Sequence, residues 1–380
     1  MKERFYDKEQ AERSIDQEKK AATMRGGVTM KNILVTGGAG FIGSNFIHYL
    51  FSEKSFTGRV VNVDKLTYAG NPENLDGISD RFADRYVFEQ ADICDRESMA
   101  ALFERYEIDT VCHFAAESHV DRSIADPDAF IMTNIMGTYG LLETVRRFNA
   151  SRAIHFHHVS TDEVYGSLGN AGFFTEETPY RPNSPYSASK ASSDHLVRAY
   201  GETYGLSVTT SNCSNNYGPY QFPEKLIPLI IENALNEKPL PVYGDGRNIR
   251  DWLFVADHCR AIYLIMNQGK RGGMYAIGGR CEMENIQVVT AICDLLDEIN
   301  PCRSGKNRRD LITFVKDRPG HDRRYAIDFS KLHNELGWEP QESFETGIRK
   351  TILWYLEHPA WVDRVKSGEY RSWMNQQYGE

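Results

Sequence analysis

The sequence predicts an α/β protein with a doubly wound parallel sheet and a smaller region toward the C-terminus. Short runs rich in Val, Ile and Phe recur after residue 31 with helix-like segments between them, which is the alternation of βαβ units. A glycine-rich turn follows the first run, at residues 37–43. Beyond residue 217 prolines become denser and the alternation fades, so this later part is expected to cover the carboxyl ends of the strands. The predicted strands are Ile33–Thr36, Arg59–Asp64, Tyr86–Gln90, Thr110–Phe114, Ala153–Ser160 and Ser207–Asn212.

Composition and charge narrow the class of protein. Of 380 residues, 41% are hydrophobic and 26% charged, which is ordinary for a globular protein and excludes a fully disordered chain, a collagen and a coiled rod. The chain has 44 Lys and Arg against 53 Asp and Glu, a net charge of −9. A net anion has no general attraction for nucleic acid or for an acidic membrane, so neither is expected as a partner.

Cysteine usage and hydropathy bear on location. The 7 cysteines are scattered and never form a CxxC pair, which argues against a disulfide framework and against a four-thiolate zinc site. No apolar run approaches the roughly 18 residues that span a bilayer. The charged N-terminal stretch lacks the apolar core of a signal peptide. A cytoplasmic protein is therefore predicted.

The chain divides into three predicted parts. Residues 1–29 are dominated by charged side chains and are predicted to be a disordered, solvated tail. The larger domain is predicted to cover residues 30–218, with residues 249–274 and 322–353 returning to it. Residues 219–248, 275–321 and 354–380 are predicted to form a smaller, substrate-binding domain.

The glycine-rich turn predicts a dinucleotide site. Gly37 permits a tight turn after the first strand, Gly40 lets backbone amides approach a pyrophosphate, and Gly43 allows close packing of helix on strand. The phosphates are then expected at the helix N-terminus, where free N–H groups point outward. The spacing is GxxGxxG and not GxGxxG, and a tight βα turn without a ligand is the alternative. The interpretation favoured is a Rossmann-type domain.

The end of the second strand indicates which dinucleotide binds. Asp64 lies 21 residues after Gly43, where a carboxylate accepts hydrogen bonds from the adenosine ribose hydroxyls. A carboxylate there repels a 2′-phosphate, so NAD is predicted in preference to NADP. The positive side chain of Lys65 is the one feature that argues against NAD. The adenine and nicotinamide halves are expected beside Asp92, Ile93, Ala115 and Ala116, which follow the third and fourth strands.

Tyr186 and Lys190 are the first candidate catalytic residues. Their i, i+4 spacing places a phenol and an ammonium on one face of a helix, although an amphipathic surface helix has the same spacing. A phenolate at neutral pH requires the Tyr186 pKa to fall by roughly three units, about 4 kcal/mol, and a neighbouring ammonium and nicotinium are expected to supply this together. Such a phenolate takes the proton of a sugar hydroxyl while hydride leaves for NAD⁺.

The TGGAGFIG turn at residues 36–43 and the YxxxK pattern about 145 residues later resemble the extended short-chain dehydrogenase/reductase family. The resemblance implies a tyrosine base, a lysine that holds the ribose and tunes the tyrosine, and Thr161 on the substrate hydroxyl. It also implies cofactor contacts at Phe41, Ile42, Leu66, Thr67, Ser118, Thr133 and Asn216.

The adjacent pair Asp162-Glu163 separates reaction classes. In epimerases of this family small, non-ionisable residues follow the Ser or Thr, because oxidation and reduction at one carbon need no further acid or base. Eliminating water needs one group to remove a carbon-bound proton and another to protonate the leaving hydroxyl. Two adjacent carboxyls in a closed site cannot both ionise cheaply, so their pKa values are pushed apart and one stays an acid at pH 7. The alternative is a loop that turns on Asp and Glu without chemistry.

Longer stretches resemble the sugar-nucleotide dehydratases of that family, whose substrate is dTDP-glucose. These are KLTYAGN (65–71), AAESHVDRSI (115–124), STDEVYG (160–166), SPYSASKASSDHLV (184–197), NCSNNYGPYQFPEKLIP (212–228), PVYGDGRNIRDWL (241–253) and DRPGHDRRYAID (317–328). By this resemblance Tyr186 deprotonates the C4 hydroxyl, Glu163 removes the C5 proton and Asp162 protonates the departing C6 hydroxyl. The product is dTDP-4-keto-6-deoxy-glucose, for deoxysugar synthesis of the dTDP-rhamnose type, and the net reaction is that of a lyase.

The same resemblance implies substrate contacts and an assembly. Arg250 and Arg318 suit a pyrophosphate, because a guanidinium can donate paired hydrogen bonds. Helices near Ala129–Phe148 and Tyr186–Tyr204 are expected to pair across the axis of a homodimer. The implied substrate contacts are Ser118, Thr161, Asn215, Lys225, Leu226, Pro241, Val242, Tyr243, Arg250, Asn285, Asp317, Arg318 and His321.

Other interpretations stay open at this point. His155, His157 and His158 crowd one strand, but alternation puts His158 on the opposite face from the other two, so no metal is predicted. Another NAD-dependent sugar-nucleotide epimerase, decarboxylase or dehydratase is the nearest alternative function. A non-catalytic NAD sensor is the alternative from another class, and it has no need of Thr161 together with the tyrosine and lysine.

Overall fold

A computed structural model describes residues 30–302 and 304–366. Its centre is a seven-stranded sheet in the order β10-β6-β5-β4-β1-β2-β3, in which every neighbouring pair is parallel. The predicted fold class is confirmed, and the six predicted strands are all present. Ordered by chain position, the sheet strands are β1 Asn32–Thr36, β2 Arg59–Asp64, β3 Tyr86–Gln90, β4 Thr110–His113, β5 His155–Thr161, β6 Ser207–Cys213 and β10 Met274–Ile277.

Helices cover both faces of this sheet because its strands are apolar on both sides. One face packs Leu34, Val61 and Val111 against the helices that follow β3 and β4, and the other packs Ile33 and Val60 against the helix after β1. The helices of this larger lobe are α1 Phe41–Ser52, α2 Asp76–Arg81, α3 Arg96–Arg105, α4 Val120–Ala125, α5 Thr138–Asn149, α6 Pro185–Tyr204, α8 Val255–Gln268 and α10 Ser330–Leu336, with short 3₁₀ turns at Pro72–Leu75 and Asp162–Tyr165.

A smaller lobe has its own apolar core. Ile230, Val289 and Ile352 are fully buried in it, and they come from three different helices. Two small sheets flank this core, one ordered β11-β9-β7 and the other pairing β8 with β12. Its elements are β7 Asn215–Tyr217, α7 Leu226–Leu235, β8 Leu240–Tyr243, β9 Ile249–Phe254, β11 Glu282–Glu284, α9 Asn285–Ile299, the 3₁₀ turn Arg308–Leu311, β12 Ile312–Val315, α11 Phe344–Glu357 and α12 Pro359–Val365.

The lobes differ from the predicted domains in four places, the first being β7, which lies within the predicted larger domain but pairs with β9 in the smaller lobe. The predicted boundary at residue 274 cuts β10, which continues to Ile277 in parallel register with β6. Residues 249–254 were assigned to the larger domain, but they form β9 in the small sheet with β7 and β11. Residues 344–353 were also assigned there, yet α11 packs in the apolar core of the smaller lobe. Periodicity alone does not reveal which core a buried helix or strand joins. The tail at residues 1–29 and residues 367–380 lie outside the described residues.

The histidines of β5 face in opposite directions, as alternation predicts. The rings of His155 and His157 lie on one face among hydroxyl groups of β6. His155 Nε2 lies 3.0 Å from Thr209 Oγ1, and His157 Nδ1 lies 2.9 Å from the same oxygen. His158 lies on the other face, 3.2 Å from Asp194 Oδ1. Across residues 30–302 and 304–366, no group of three or more His, Cys, Asp or Glu side chains is arranged to hold a metal ion. Nor does this part of the chain contain a helix long and apolar enough to cross a membrane.

Candidate active site

A cavity of about 320 Å³ opens at the carboxyl ends of the sheet strands, beneath the loops that lead to the smaller lobe. Its walls bring together residues that are far apart in sequence, from the first glycine turn to the loop before α7. Every predicted catalytic residue lines it. The predicted residues in its wall are Gly37, Gly40, Phe41, Ile42, Gly43, Asp64, Lys65, Thr67, Asp92, Ile93, Ala115, Ala116, Ser118, Thr133, Thr161, Asp162, Glu163, Tyr186, Lys190, Asn215, Asn216 and Lys225.

The glycine turn forms a cradle at the N-terminus of α1. Gly37 has φ +72°, and a Cβ there would lie 2.7 Å from the backbone of Ala115, so only glycine fits. Gly40 caps α1 without any side-chain hydrogen bond, and no acidic residue lies in the first turn. The first-turn N–H groups have no carbonyl partner within the helix, and these residues line the cavity. The cradle therefore fits the phosphates of a dinucleotide.

We expect Gly43→Ala to impair this cradle. A Cβ at this position would lie 2.3 Å from Gly37 O, a backbone atom that cannot move aside without distorting the turn. Overpacking of this kind costs about 1–3 kcal/mol, so the variant should melt at lower temperature and retain less dinucleotide on purification. Gly77→Ala is the matched control, because nothing lies within 4 Å of its Cβ position in α2. The control should be neutral or slightly stabilising, and equal cofactor contents in the two variants would contradict the expectation.

Asp64 is held at the end of β2 by backbone donors. Its Oδ1 accepts from Leu66 N at 2.8 Å and its Oδ2 from Ala39 N at 3.0 Å, which fixes the carboxylate beside the glycine turn. Lys65 turns away from it and pairs with Asp92, with 2.7 Å between Nζ and Oδ2. The signal against NAD is thereby removed, since the ammonium is already neutralised by a carboxylate. Leu66, a predicted cofactor contact, does not line the cavity and instead makes the turn with φ +59°.

A π-helical segment, Ile131–Gly137, places Thr133 in the cavity wall. The next residue, Asn134, is buried and ties three chain segments together. Its Oδ1 accepts from Glu117 N at 2.9 Å, and its Nδ2 donates to Glu117 O at 3.0 Å and to Ser189 Oγ at 2.8 Å. The loop after β4 is therefore fixed in register with α6, which carries the tyrosine and lysine. Widened helical turns of this kind are frequent at functional sites.

Helix α6 begins at a position that its sequence specifies. Ser184 caps it in a capping box with Ser187, Pro185 occupies the first helical position, and Gly205 ends it in the left-handed conformation. The helix buries both Tyr186 and Lys190. Lys190 Nζ donates to Val159 O at 2.9 Å and lies 3.5 Å from His158 Nε2, so the ammonium is anchored on β5.

The protein alone does not acidify Tyr186, which differs from the expectation. Burial raises the pKa of this phenol well above its usual value, the negative charge of Glu163 raises it further, and only Thr161 acts appreciably in the opposite direction. The physical reason is that the surroundings are desolvated and carry carboxylates. A positive charge close to the phenol, from the Lys190 ammonium together with a bound nicotinium, is therefore needed to lower the pKa of Tyr186.

Asp162 and Glu163 follow Thr161 in a 3₁₀ turn, and their environments differ. Burial raises the pKa of Asp162 well above the ordinary range, and the neighbouring Glu163 and Asp251 raise it further. Burial also raises the pKa of Glu163, but the cations Arg318, Arg250 and Lys225 oppose this. Asp162 is therefore the stronger candidate for a group that keeps its proton, and Glu163 for one that gives it up. This separation is the one that an acid and a base require.

Of the predicted nucleotide contacts, Asn215 and Lys225 line the cavity described above and the others do not. Arg250 donates to Ile249 O and Asp322 O and is stacked on a tyrosine ring, so two of its donors are engaged within the protein. Arg318 Nη1 and Tyr243 OH both approach Asp121 at 3.5 Å. The predicted residues outside the cavity wall are Leu66, Leu226, Pro241, Val242, Tyr243, Arg250, Asn285, Asp317, Arg318 and His321.

Sequence reasoning missed a buried carboxylate, Glu224, in the cavity wall. Tyr68 OH donates to its Oε1 at 2.9 Å, and its Oε2 lies 3.7 Å from both His119 Nε2 and Arg122 Nε. This cluster joins the loop after β2 to the loop before α7. The available signal was the motif PEKLIP, in which a charged pair sits between a proline and an apolar helix. Other wall residues that were not predicted are Ala69, Gly70, Glu117, Cys213, Ser214, Gln221 and Phe222.

Known proteins resemble the chain over most of its length. A family described as GDP-mannose 4,6 dehydratase matches residues 34–351. "dTDP-glucose 4,6-dehydratase 1" of Escherichia coli (strain K12) is 58% identical over 361 residues, covering 91% of this chain and 98% of the relative. The dTDP-glucose 4,6-dehydratase of Bacillus anthracis str. Ames, crystallised in complex with NAD, is 47% identical, with a TM-score of 0.79 over 88% of this chain and all of that one. DesIV, the dTDP-glucose 4,6-dehydratase of Streptomyces venezuelae with NAD and TYD bound, is 44% identical, with a TM-score of 0.81 over 88% and 100%.

Proposed function

The chain belongs to the dTDP-glucose 4,6-dehydratase family, and we propose that it converts dTDP-glucose to dTDP-4-keto-6-deoxy-glucose as an NAD-dependent lyase. One observation carries the proposal at the level of chemistry. The cavity wall holds a tyrosine and a lysine together with two adjacent carboxyl groups, one buried and one half-buried, whose pKa values are raised to different extents. An epimerase needs only the first pair, whereas removing water needs all four groups.

The residues present fit NAD. The glycine cradle, the free first turn of α1 and the Asp64 carboxylate are the parts that would hold its pyrophosphate and adenosine ribose, and Lys190 is placed for the other ribose. When bound, NAD would supply a hydride acceptor for the oxidation at C4 and would return that hydride at C6, while the proton that Glu163 holds returns to C5.

The side chains divide the proton transfers among them. Tyr186 accepts the proton of the C4 hydroxyl, with Thr161 positioned on the same hydroxyl. The resulting ketone acidifies the C5 hydrogen, which Glu163 then removes. Asp162, which burial keeps protonated, gives its proton to the departing C6 hydroxyl, and water is released. The order follows from chemistry, because an unactivated C5 hydrogen is too weak an acid to leave first.

The direct test is to incubate the purified protein with dTDP-glucose, adding no cofactor, and to follow the sugar nucleotide by mass spectrometry. We expect the loss of one water per substrate without accumulation of NADH, since the hydride that leaves is returned in each turnover. An unchanged mass, with NAD also supplied, would refute dTDP-glucose as the substrate. The sugar nucleotides with UDP, GDP and CDP would then be tried in turn.

We propose that the protein is a homodimer that pairs through the π-helical segment and α6. The support is a group of exposed apolar side chains on α4, the π-helical segment and the end of α6, namely Ile124, Ile131, Met132, Met136 and Tyr204, of which Met132 is 53% exposed. Large apolar side chains left exposed on neighbouring elements are typical of surfaces that bind another protein.

Sedimentation velocity tests the dimer. The protein should sediment at twice the chain mass, and Met132→Glu should weaken dimerisation at least tenfold by placing a charge in the interface. Phe314→Glu is the control, because Phe314 is 57% exposed on β12 of the smaller lobe. A monomeric wild type, or equal effects of the two substitutions, would refute the pairing.

We also propose a cytoplasmic location. The support is that all 7 cysteines, each within the described residues, are free thiols, and the thiols of Cys112 and Cys213 are buried. Disulfide-free chains with several thiols are typical of reducing compartments.

A further inference from the structure

A carboxylate behind the cavity has no part in the proton transfers proposed above. Asp194 lies one helical turn after Lys190 on α6, is only 2% exposed, and does not line the cavity. A buried charge is costly unless it is paired and hydrogen-bonded, so its presence calls for a physical explanation.

The surroundings of Asp194 hold it as an anion. Its Oδ2 accepts from Tyr180 OH at 2.8 Å, Ser160 Oγ at 2.9 Å and Asn212 Nδ2 at 3.1 Å. Three donors on one oxygen favour the ionised form. Burial acts to raise the pKa of Asp194, but the His158 ring, Lys190 and the Ser160 hydroxyl outweigh it and hold the pKa below its usual value.

Asp194 reaches the lysine through a histidine. His158 Nε2 lies 3.2 Å from Asp194 Oδ1 and 3.5 Å from Lys190 Nζ, so one imidazole contacts both groups. We infer that Asp194 is a positioning residue whose negative charge, acting through space across the short gap at His158 Nε2, keeps the buried Lys190 ammonium charged and anchored beside Tyr186. The inference rests on the proposed dehydratase reaction, in which a charged lysine supports the tyrosine base.

The other titratable groups around this pair do not supply the charge. His113 on β4 and His158 on β5 are neutral, because burial lowers the pKa of His113 well below its usual value and that of His158 to about 4. Cys213 on β6, Tyr165 in the 3₁₀ turn and Tyr180 are neutral as well, because burial raises the pKa of each. Tyr186 faces the same ammonium and is likewise neutral in the protein alone.

The charge of Lys190 near neutral pH depends on the Asp194 carboxylate. Burial lowers the pKa of Lys190 to about 8, and among the described residues Asp194 is the foremost influence in the opposite direction. Removing that negative charge must lower this pKa further. Lys190 then loses its proton at a lower pH, and Tyr186 loses its cationic neighbour there.

The test is the pH dependence of kcat for Asp194→Asn, which keeps the shape and most hydrogen bonds but removes the charge. The alkaline limb should move to lower pH by about one unit or more, so that the rate at pH 8 falls at least about fivefold while the rate at pH 6 falls less. Asp194→Glu should restore the limb partly. Tyr180→Phe is the matched control, since it removes one hydrogen bond to the same carboxylate and leaves its charge, and its limb should not move.

The outcomes separate the two claims. If the wild type does not dehydrate dTDP-glucose, the proposed function fails. If it does, and Asp194→Asn has the wild-type pH profile or shifts no more than Tyr180→Phe, the charge is not the reason for Asp194 and this inference is overturned.

A variant that does not fold still gives an answer. If Asp194→Asn yields no folded protein, the double variant that also carries Lys190→Met should recover folding, because it removes the uncompensated buried cation. Circular dichroism and thermal melting report this without any activity. Failure of the second substitution to restore folding would overturn the coupling between the two charges.

Discussion

Tyr186→Phe is expected to lower kcat by about 10²–10⁴-fold while leaving bound NAD in place, since a general base contributes a factor of this size. The phenol is buried in the cavity wall, and the substitution removes only its oxygen, so the fold should be unchanged. The readout is single-turnover dehydration of dTDP-glucose, with NAD content and melting temperature measured on the same preparation.

The control for this substitution is Tyr204→Phe, at the exposed end of the same helix. It removes an equivalent oxygen from α6 outside the cavity and should keep the wild-type rate. A Tyr186→Phe enzyme that retains more than a tenth of the wild-type rate would assign the base to another group. A non-catalytic NAD-binding protein would show no turnover in either variant.

Glu163→Gln is expected to stop the reaction after oxidation at C4. The amide keeps the size of the side chain but cannot take the C5 proton, so the ketone forms and elimination does not follow. Reduced cofactor should therefore build up on the enzyme and be seen at 340 nm, with the rate of dehydration falling by about 10²–10⁴-fold.

Asp162→Asn provides the comparison for that variant. It leaves the base intact and removes the acid, so C5 exchange with deuterated water should persist while loss of the C6 hydroxyl slows. In Glu163→Gln the same exchange should disappear. If both variants exchange C5 at equal rates, the division into acid and base that the unequal pKa shifts indicate is wrong.

The strands and the Tyr-Lys pair could be predicted because their signals are local. A run such as Val60–Val63 is apolar on both faces, and an i, i+4 pair on a helix shares one face whatever surrounds it. The seventh strand, Met274–Ile277, was not predicted although a Gly-Gly pair flanks it on each side, because four apolar residues are too few for periodicity to separate a strand from part of a buried helix.

Other features depend on the assembled structure. In the sequence, the positive side chain of Lys65 argued against NAD. The pairing of β2 with β3 brings Asp92 close to this side chain, and no local sequence pattern predicts that contact. The pKa of Tyr186 depends on burial and on Glu163, both of which need the fold. The widened turns at Ile131–Gly137 likewise arise from packing, because the segment reads as an ordinary amphipathic helix.

The chain passes repeatedly between the two lobes, and this has a consequence for motion. After it forms β7 and β9 in the smaller lobe, the chain returns to the larger lobe as α8 and β10. It returns there once more as α10, before α11. All of these crossing segments must bend together if the two lobes are to move apart, so opening the lobes distorts more of the chain than it would with a single linker. We therefore expect sugar nucleotides to enter and leave by displacement of the short loops at residues 65–71 and 219–225, which requires less distortion.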